Sequence, residues 1–189
     1  MRGSSKKSRT DSVSIAMGTA AAREKFNALV ESFATDLYRY AYWLCGDRSV
    51  AEDLVQETFL RAWGALDSLR EVRTAKSWLF TIVRRENARR FERKQPEIAD
   101  GFDCSVVESA TDYDTSTEAF ALRQAMRRLS PEYREALVMQ VIGGFSCNEI
   151  AQALGVSPSA VMTRLFRARK TLRDMLEERE SNGTSEANR

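Results

Sequence analysis

Two helix starts lie close together in the stretch SCNEIAQALGVSP, and this spacing constrains the fold more than any other feature of the chain. Ser146 precedes a short apolar run, and Glu149 follows at the spacing of a capping box. Gly155 then permits a left-handed turn, and the closing Ser-Pro pair caps and starts a second helix. A short helix, a tight turn and a second helix from Cys147 to Arg167 predict a helix-turn-helix unit.

The second helix of this unit is strongly basic. Between residues 158 and 175 there are five basic residues and one acid, Asp174. Such a surplus of positive charge neutralises the phosphates of a duplex, so it favours DNA binding over an ordinary solvated helical hairpin. The side chains expected to face outward, toward the major groove, are those of Ser159, Ala160, Met162, Thr163, Phe166, Arg167 and Lys170.

Helical periodicity also describes the rest of the chain. Apolar residues recur every three or four positions over 26–44, 51–63, 78–83 and 120–129, and strand signals are missing. The predicted fold class is therefore all-α, with a bundle of three helices in the N-terminal half. In the helix over 120–129, the residues expected to be buried are Phe120, Leu122, Met126 and Leu129.

Charge is segregated along the chain. The formal net charge is +2, yet residues 96–121 carry seven acids and no base. A stretch that is acidic, rich in Ser and Thr and without periodicity predicts a flexible linker between two modules. The expected boundaries are a disordered tail over 1–22, a first domain over 23–95, an acidic linker over 96–118, a second domain over 119–178 and a disordered tail over 179–189.

Composition argues against an enzyme. Histidine is absent, which removes His-based triads and HExxH zinc sites, and no phosphate-binding glycine loop is present, so no metal or cofactor is expected. Three scattered cysteines, Cys45, Cys104 and Cys147, predict a reducing compartment. Because no apolar run reaches bilayer length and no signal region opens the chain, we expect a cytoplasmic protein without membrane insertion.

Two blocks of sequence resemble one family. GVSPSAVMTRLFRARKTL is similar to the final helix of the extracytoplasmic-function (ECF) sigma factors, and RSVAEDLVQETFLRAW followed by AKSWLFTIVRRENARR resembles their other conserved domain. The blocks occur in the family's order, over roughly residues 25–95 and 120–176. The resemblance implies two small helical domains, a three- or four-helix sigma region 2 bundle and a helix-turn-helix sigma region 4, joined by the acidic linker.

The same resemblance implies a function. A sigma factor is a non-catalytic subunit that docks on core RNA polymerase, recognises promoter DNA at the −35 and −10 elements and melts the −10 region. The family usually has an anti-sigma factor as regulator, and we expect the free chain to be a monomer. SPEYREALVMQVIGG matches the portion that meets the polymerase flap, and the linker matches the segment that runs through the active-site and RNA-exit path.

One face of the second helix is assigned to polymerase docking. Its residues follow the i, i+3, i+4, i+7 spacing, so they share a side of the helix that is distinct from the buried stripe. In the family the matching positions dock on the basic coiled coil of the polymerase clamp. These residues are Asp53, Gln56, Glu57 and Leu60.

The third helix is assigned to the −10 element. Residues 72–95 carry eight basic and two acidic residues together with three aromatic ones, and capture of a single strand needs cations for phosphates and flat surfaces for bases. Arg85 and Arg89 stand where the family often has Asn and Asp. By resemblance, the −10 binding and melting residues are Lys76, Phe80, Arg84, Arg85 and Arg89. The position of Phe80 is compatible either with the core or with a surface on which a base stacks.

The last helix is assigned to the −35 element. Met162 stands where the family commonly has Lys or Arg, whereas Arg164 and Arg167 match its pattern. By resemblance, the −35 residues are Ser159, Met162, Thr163, Arg164, Phe166, Arg167 and Lys170.

Two other functions are compatible with parts of this pattern. A stand-alone, dimeric helix-turn-helix regulator would need neither the polar face of the second helix nor a basic helix before the linker. A nuclease would need a cluster of metal-binding carboxylates, and the acids of this chain are spread over a linker and a docking face.

Overall fold

The computed structural model describes residues 7–69, 71, 74–93 and 117–186, with side chains defined from residue 20 to residue 179 of these ranges. The described residues form helices, one 3₁₀ turn and short connections without any β-strand, so the predicted all-α fold is confirmed. The elements are α1 (Lys7–Cys45), α2 (Arg48–Gly64), the 3₁₀ turn (Leu66–Ser68), α3 (Ala75–Arg93), α4 (Thr117–Arg128), α5 (Pro131–Val141), α6 (Cys147–Leu154) and α7 (Pro158–Glu186).

Helices α1, α2 and α3 pack against one another as an N-terminal bundle. Each turns its apolar stripe inward, so that Leu37 of α1 and Leu79 of α3 are fully buried. Gly46 takes the left-handed conformation with φ 77° and ends α1. Asp47 then caps α2, because its side chain accepts a hydrogen bond of 2.9 Å from the amide of Val50.

A buried carboxylate joins α2 to α3. The Glu86 side chain is 8% exposed, and its Oε1 lies 2.9 Å from Nε of Arg61 on α2 and 2.7 Å from Nη1 of Arg89 on α3. A charge buried in this way is tolerated because it is paired on both sides. The Arg61–Glu86 ion pair therefore links the two helices, while Arg89, on α3 itself, adds a second partner for the buried charge.

Helices α4 to α7 form the C-terminal domain, in which the long helix α7 contacts α4, α5 and α6. Pro131 occupies the first helical position of α5, where its missing amide proton costs no hydrogen bond. Ile150 and Ala151 of α6 are buried against Val161 and Leu165 of α7. The small alanine lets the two helices approach closely, which sets the angle of the helix-turn-helix corner.

The helix limits differ from those expected at both ends of the chain. α1 begins at Lys7, so that residues 7–22, expected to belong to a disordered tail, are helical. This stretch has several alanines and no proline, a composition that favours helix. α7 likewise extends to Glu186, into the second predicted tail. Residues 1–6 and 187–189, and the predicted linker up to the start of α4, lie outside the described residues.

The buried face of α4 also differs from the prediction. Phe120 and Leu122 are 42% and 45% exposed, and Ala121 and Ala125 are buried in their place. The predicted set contained residues from two sides of the helix. Alanines are buried instead because small side chains allow α4 to approach α7 closely. Trp63, expected in the core stripe of α2, is 44% exposed and packs edge-on against Phe26 at 5.1 Å.

The two domains contact each other directly. α1 contacts α5, and α3 contacts α6. Tyr42 of α1 accepts a hydrogen bond of 3.0 Å from Arg127 of α4. Within the described ranges, no helix is both long enough and apolar enough to cross a membrane.

Candidate nucleic-acid interface

The corner between α6 and α7 is built by the residues that the sequence singled out. The Ser146 hydroxyl accepts from the Glu149 amide, and the Glu149 carboxylate accepts from the Ser146 amide at 2.9 Å, which completes the capping box. The Ser146 hydroxyl also donates to the Glu149 carboxylate at 2.7 Å, and this hydrogen bond, followed by the one from the Ser146 amide, lowers the pKa of Glu149. Gly155 has φ 67°, and the Ser157 hydroxyl accepts from the amide of Ala160 at the start of α7.

Helix α7 separates cleanly into two faces. Its inward residues, Val161, Leu165, Ala168 and Leu172, are buried against the domain. Its outward face is largely apolar and cationic, with Met162 56% and Phe166 68% exposed. The predicted −35 residues that are exposed on this face are Ser159, Met162, Thr163, Phe166, Arg167 and Lys170.

Side chains of α5 hold the arginines of α7. Nη1 of Arg167 donates to the hydroxyl of Tyr133 at 3.2 Å, and this hydrogen bond raises the pKa of Arg167. Nη2 of Arg164 lies 3.2 Å from Oε2 of Glu132, which leaves the Arg164 side chain 23% exposed. The sequence did not identify these α5 partners. They meet because α5 packs beside α7, and the spacing of residues along one helix does not show which helix packs beside it.

The predicted docking face of α2 is accessible. Asp53, Gln56 and Leu60 are exposed, Leu60 to 68%, and Glu57 is partly exposed. Glu57 makes an ion pair of 2.9 Å with Arg61 along the helix. Leu60 provides an apolar contact area beside the polar residues, a combination found in protein interfaces.

The predicted −10 residues of α3 are not all accessible. Arg85 and Arg89 are exposed, and Arg89 pairs with the buried Glu86 described above. Lys76 lies 2.9 Å from a carboxylate oxygen of Asp36 on α1. Phe80 is only 1% exposed, so in this arrangement of the domains its ring offers no surface to a nucleotide.

Residues of both domains surround Phe80. Its ring stacks on Tyr40 of α1 at a centroid distance of 4.6 Å and meets the edge of Phe145, just before α6, at 4.9 Å. Oε1 of Glu135 on α5 accepts from the Tyr40 hydroxyl at 3.1 Å and from Nε of Arg84 at 3.0 Å. Burial, together with the charge of Glu135, raises the pKa of Tyr40 well above its usual value, so the hydroxyl keeps its proton.

Two family profiles match the chain in the predicted order. The profile described as Sigma-70 region 2 matches residues 29–97, and the profile described as Sigma-70, region 4 matches residues 119–172. The ECF RNA polymerase sigma factor SigL of Mycobacterium tuberculosis is 34% identical over 167 residues, which cover 85% of this chain and 94% of SigL. The chain belongs to the ECF sigma factors of RNA polymerase. This sigma factor is therefore a transcription initiation factor, and the predicted identity is confirmed.

Another relative, the ECF sigma factor BldN of Streptomyces coelicolor, is 33% identical over 161 residues. That match covers 81% of this chain and 61% of BldN, so the chain spans less than two thirds of this relative. SigL, in contrast, is matched over nearly its whole length.

Two solved structures resemble the whole arrangement. The sigma factor RpoE of Bartonella quintana, co-crystallised with the anti-sigma factor NepR, has a TM-score of 0.64 and 28% identity, covering 82% of this chain and 96% of RpoE. CnrH, in complex with the cytosolic domain of CnrY, has a TM-score of 0.61 and 26% identity, covering 84% of this chain and 94% of CnrH. The fold of two helical sigma domains is therefore confirmed.

Proposed function

We propose that this sigma factor directs core RNA polymerase to promoters by reading the −35 element with α7 and by holding the separated −10 strand on α3. The observation that carries the proposal is the exposure of the α7 face. Arg167 and Lys170 supply cations, while Thr163 and Phe166 supply hydrogen-bonding and apolar groups for base edges. A recognition helix in the major groove needs this combination.

The −10 role rests on α3. Arg85, Arg89 and Phe91 are exposed on this helix, Phe91 to 64%, so cations and an aromatic ring are available to a single strand. Lys76, Phe80 and Arg84 are engaged within the protein, and they join the site when the domains move apart. The chain itself supplies binding and strand separation, and polymerase supplies the catalysis.

Docking on polymerase falls on two further surfaces. The α2 face of Asp53, Gln56, Glu57 and Leu60 is suited to the clamp coiled coil, because it pairs acidic groups with an exposed leucine. Val141, which is 73% exposed at the end of α5, offers an apolar contact for the flap. The protein then works where polymerase works, in the cytoplasm.

An anti-sigma factor is the expected regulator. RpoE and CnrH, which resemble this chain over most of its length, were solved with NepR and with the cytosolic domain of CnrY. A protein that clamps both domains here would cover the α2 face and keep the DNA-binding helices from promoter DNA.

Gel filtration with purified core polymerase, followed by run-off transcription on a genomic fragment library, tests the proposal. We expect the chain to co-elute with core polymerase and to produce transcripts with defined start sites. A stand-alone regulator would instead elute as a dimer, would bind duplex DNA without polymerase, and would yield no transcripts beyond those of core polymerase alone. That result would overturn the proposal.

A further inference from the structure

At the contact between the domains, a carboxylate of the C-terminal domain accepts hydrogen bonds from the N-terminal bundle. Glu135 belongs to α5 of the C-terminal domain, and its side chain is 15% exposed. Its Oε1 accepts from Tyr40 and from Arg84, both of the N-terminal bundle. A carboxylate that receives a hydrogen bond from a guanidinium makes one of the stronger polar contacts available to a protein, and here it joins the two domains.

An aromatic ring of the C-terminal domain completes the contact. The Phe145 side chain is buried, and its ring lies edge-on to Phe80 with an interplanar angle of 87°. Gly143 makes room for this ring, since a Cβ atom there would lie 2.5 Å from Cδ2 of Phe145 and 2.4 Å from the carbonyl oxygen of Met139. The Gly-Gly pair before Phe145 thus serves to place a ring against the N-terminal bundle.

We propose that Glu135 and Phe145 form an internal plug that occupies the −10 strand site. A single strand binds by placing phosphates against cations and bases against aromatic rings. The Glu135 carboxylate takes the guanidinium of Arg84 as a phosphate would, and Phe145, whose ring is perpendicular to Phe80 rather than stacked on it, covers the ring that an unstacked base would need. The inference rests on the proposed −10 role of α3, and it adds an occupant of that surface.

The plug and a strand exclude each other on geometric grounds. Phe80 is covered by Tyr40 on one side and by Phe145 on the other, which accounts for its exposure of 1%. The Nε of Arg84 already donates to Glu135. Arg85, the next residue, stays exposed, so free protein retains some attraction for phosphate but lacks the complete site.

This exclusion has a measurable consequence. When only a fraction of molecules has the site open, the apparent dissociation constant exceeds the intrinsic one by the inverse of that fraction. Glu135→Gln keeps the size of the side chain and an acceptor for Tyr40, but it removes the charge that Arg84 pairs with. The open fraction should therefore rise, and single strands should bind more tightly.

Fluorescence anisotropy on the full chain tests the plug. The probe is a labelled single-stranded oligonucleotide of mixed sequence and roughly twelve nucleotides, at low salt and without polymerase. We expect Glu135→Gln to bind about fivefold more tightly than the wild type, and the exposed-acid control Glu178→Gln to stay within a factor of about two. Adding Arg84→Ala to Glu135→Gln should abolish the gain.

A second variant guards against loss of folding. Phe145→Leu keeps an apolar side chain in the C-terminal core but removes the ring edge, and it should tighten strand binding about threefold. If circular dichroism shows that Glu135→Gln is unfolded, Phe145→Leu decides the outcome.

Three results would overturn the plug. The first is equal affinity of Glu135→Gln and Glu178→Gln, and the second is a gain that survives removal of Arg84. The third is an unchanged affinity of Phe145→Leu. Co-elution of the wild type with core polymerase and run-off transcription are measured in parallel. If the strand-binding results contradict the plug while run-off transcription succeeds, the proposed function stands and only the plug is lost. If the wild type neither co-elutes with core polymerase nor supports transcription, both the proposed function and the plug are lost.

Discussion

The surfaces of α7 and α3 that we propose bind DNA have similar chemistry, cations interspersed with aromatic residues, but they differ in exposure. On α7, Phe166 is 68% exposed and Arg167 projects from the surface. On α3, Phe80 is 1% exposed and Arg84 is paired with a residue of the other domain. The first surface is available in the free chain, and the second is only partly so.

This difference in exposure depends on which domain determines each surface. The α7 face is set by turns and caps inside its own domain, so it persists whatever the other domain does. The α3 face depends on where the C-terminal domain lies. In the proposed roles, the −35 surface is therefore preformed, whereas the complete −10 surface requires a change in domain arrangement, which polymerase binding can supply.

The largest expected effect concerns the α2 face, which is exposed like the face of α7. In the proposed order of events, this face binds polymerase before the domains move apart and uncover α3. Asp53→Lys with Glu57→Lys should weaken binding to core polymerase by about 100-fold or more, because like charges then meet across the interface. Titration of labelled core polymerase measures this. Glu24→Lys with Glu31→Lys, two exposed acids of α1, is the charge-matched control. Unchanged affinity of the α2 variant would remove the docking assignment.

The next effect isolates α3. Arg84→Ala with Arg85→Ala should reduce open-complex formation about tenfold or more, since each arginine contributes to phosphate neutralisation. Closed complexes should still form, because α7 is untouched. Permanganate reactivity of −10 thymines measures opening, and footprinting measures closed complexes. Arg48→Ala, an exposed arginine of α2, should leave both unchanged.

A third change isolates α7. Arg167→Ala should weaken recruitment to duplex with the −35 element about tenfold, in line with roughly 1–3 kcal/mol for an arginine that reads guanine. Opening of a pre-melted −10 template should remain near normal, as it should with Arg173→Ala, the control further along the same helix. If the Arg167 and the Arg84/Arg85 variants had the same defects on both templates, the division of labour between the domains would be lost.

A smaller effect concerns the positioning of Arg167. Tyr133→Phe keeps the ring but removes the hydroxyl that holds the guanidinium. Loss of this preorganisation should lower −35 affinity about threefold, because the side chain then loses more freedom on binding. Gel-shift titration on matched and mismatched −35 duplexes measures it. An unchanged affinity would mean that Tyr133 does not prepare Arg167 for DNA.

The smallest effect is the pH dependence of the α6 cap. The pKa of Glu149 is lowered in the folded protein, so its contribution to stability is present above the ordinary pKa of Glu and is lost as pH falls through the lowered value. Thermal unfolding of the wild type, followed as the pH is lowered from above the ordinary pKa of Glu through the lowered value, should show this decline, and Glu149→Gln should show less of it. The same pH dependence in both proteins would assign the decline to other groups.

The parts that the sequence predicted are those set by local chemistry. Ser146, Glu149, Gly155 and Ser157 determine a cap, a turn and a second cap within a few residues, and each has the predicted role. The exposed face of α7 then follows from helical period alone. The family resemblance supplied the order of the two domains, which the profile matches confirm.

The parts that it missed depend on contacts between distant segments. Phe80 was grouped with the accessible −10 residues, yet Phe145 and Glu135, far along the chain, decide its exposure and that of Arg84. In α4, the choice between Phe120 and Ala121 for the core depends on how closely α7 approaches. The distance between α4 and α7 cannot be inferred from the spacing of apolar residues or from the charge of a segment.

The buried Glu86 has a mechanical consequence. One oxygen is shared by Arg61 of α2 and by Arg89, which lies on α3 like Glu86 itself, so sliding one helix along the other would remove the Arg61 partner and leave Arg89 alone to compensate the buried charge. The Arg61–Glu86 pair therefore resists relative movement of α2 and α3. Through this pair, the proposed polymerase-docking helix is mechanically coupled to the helix proposed to hold the separated strand.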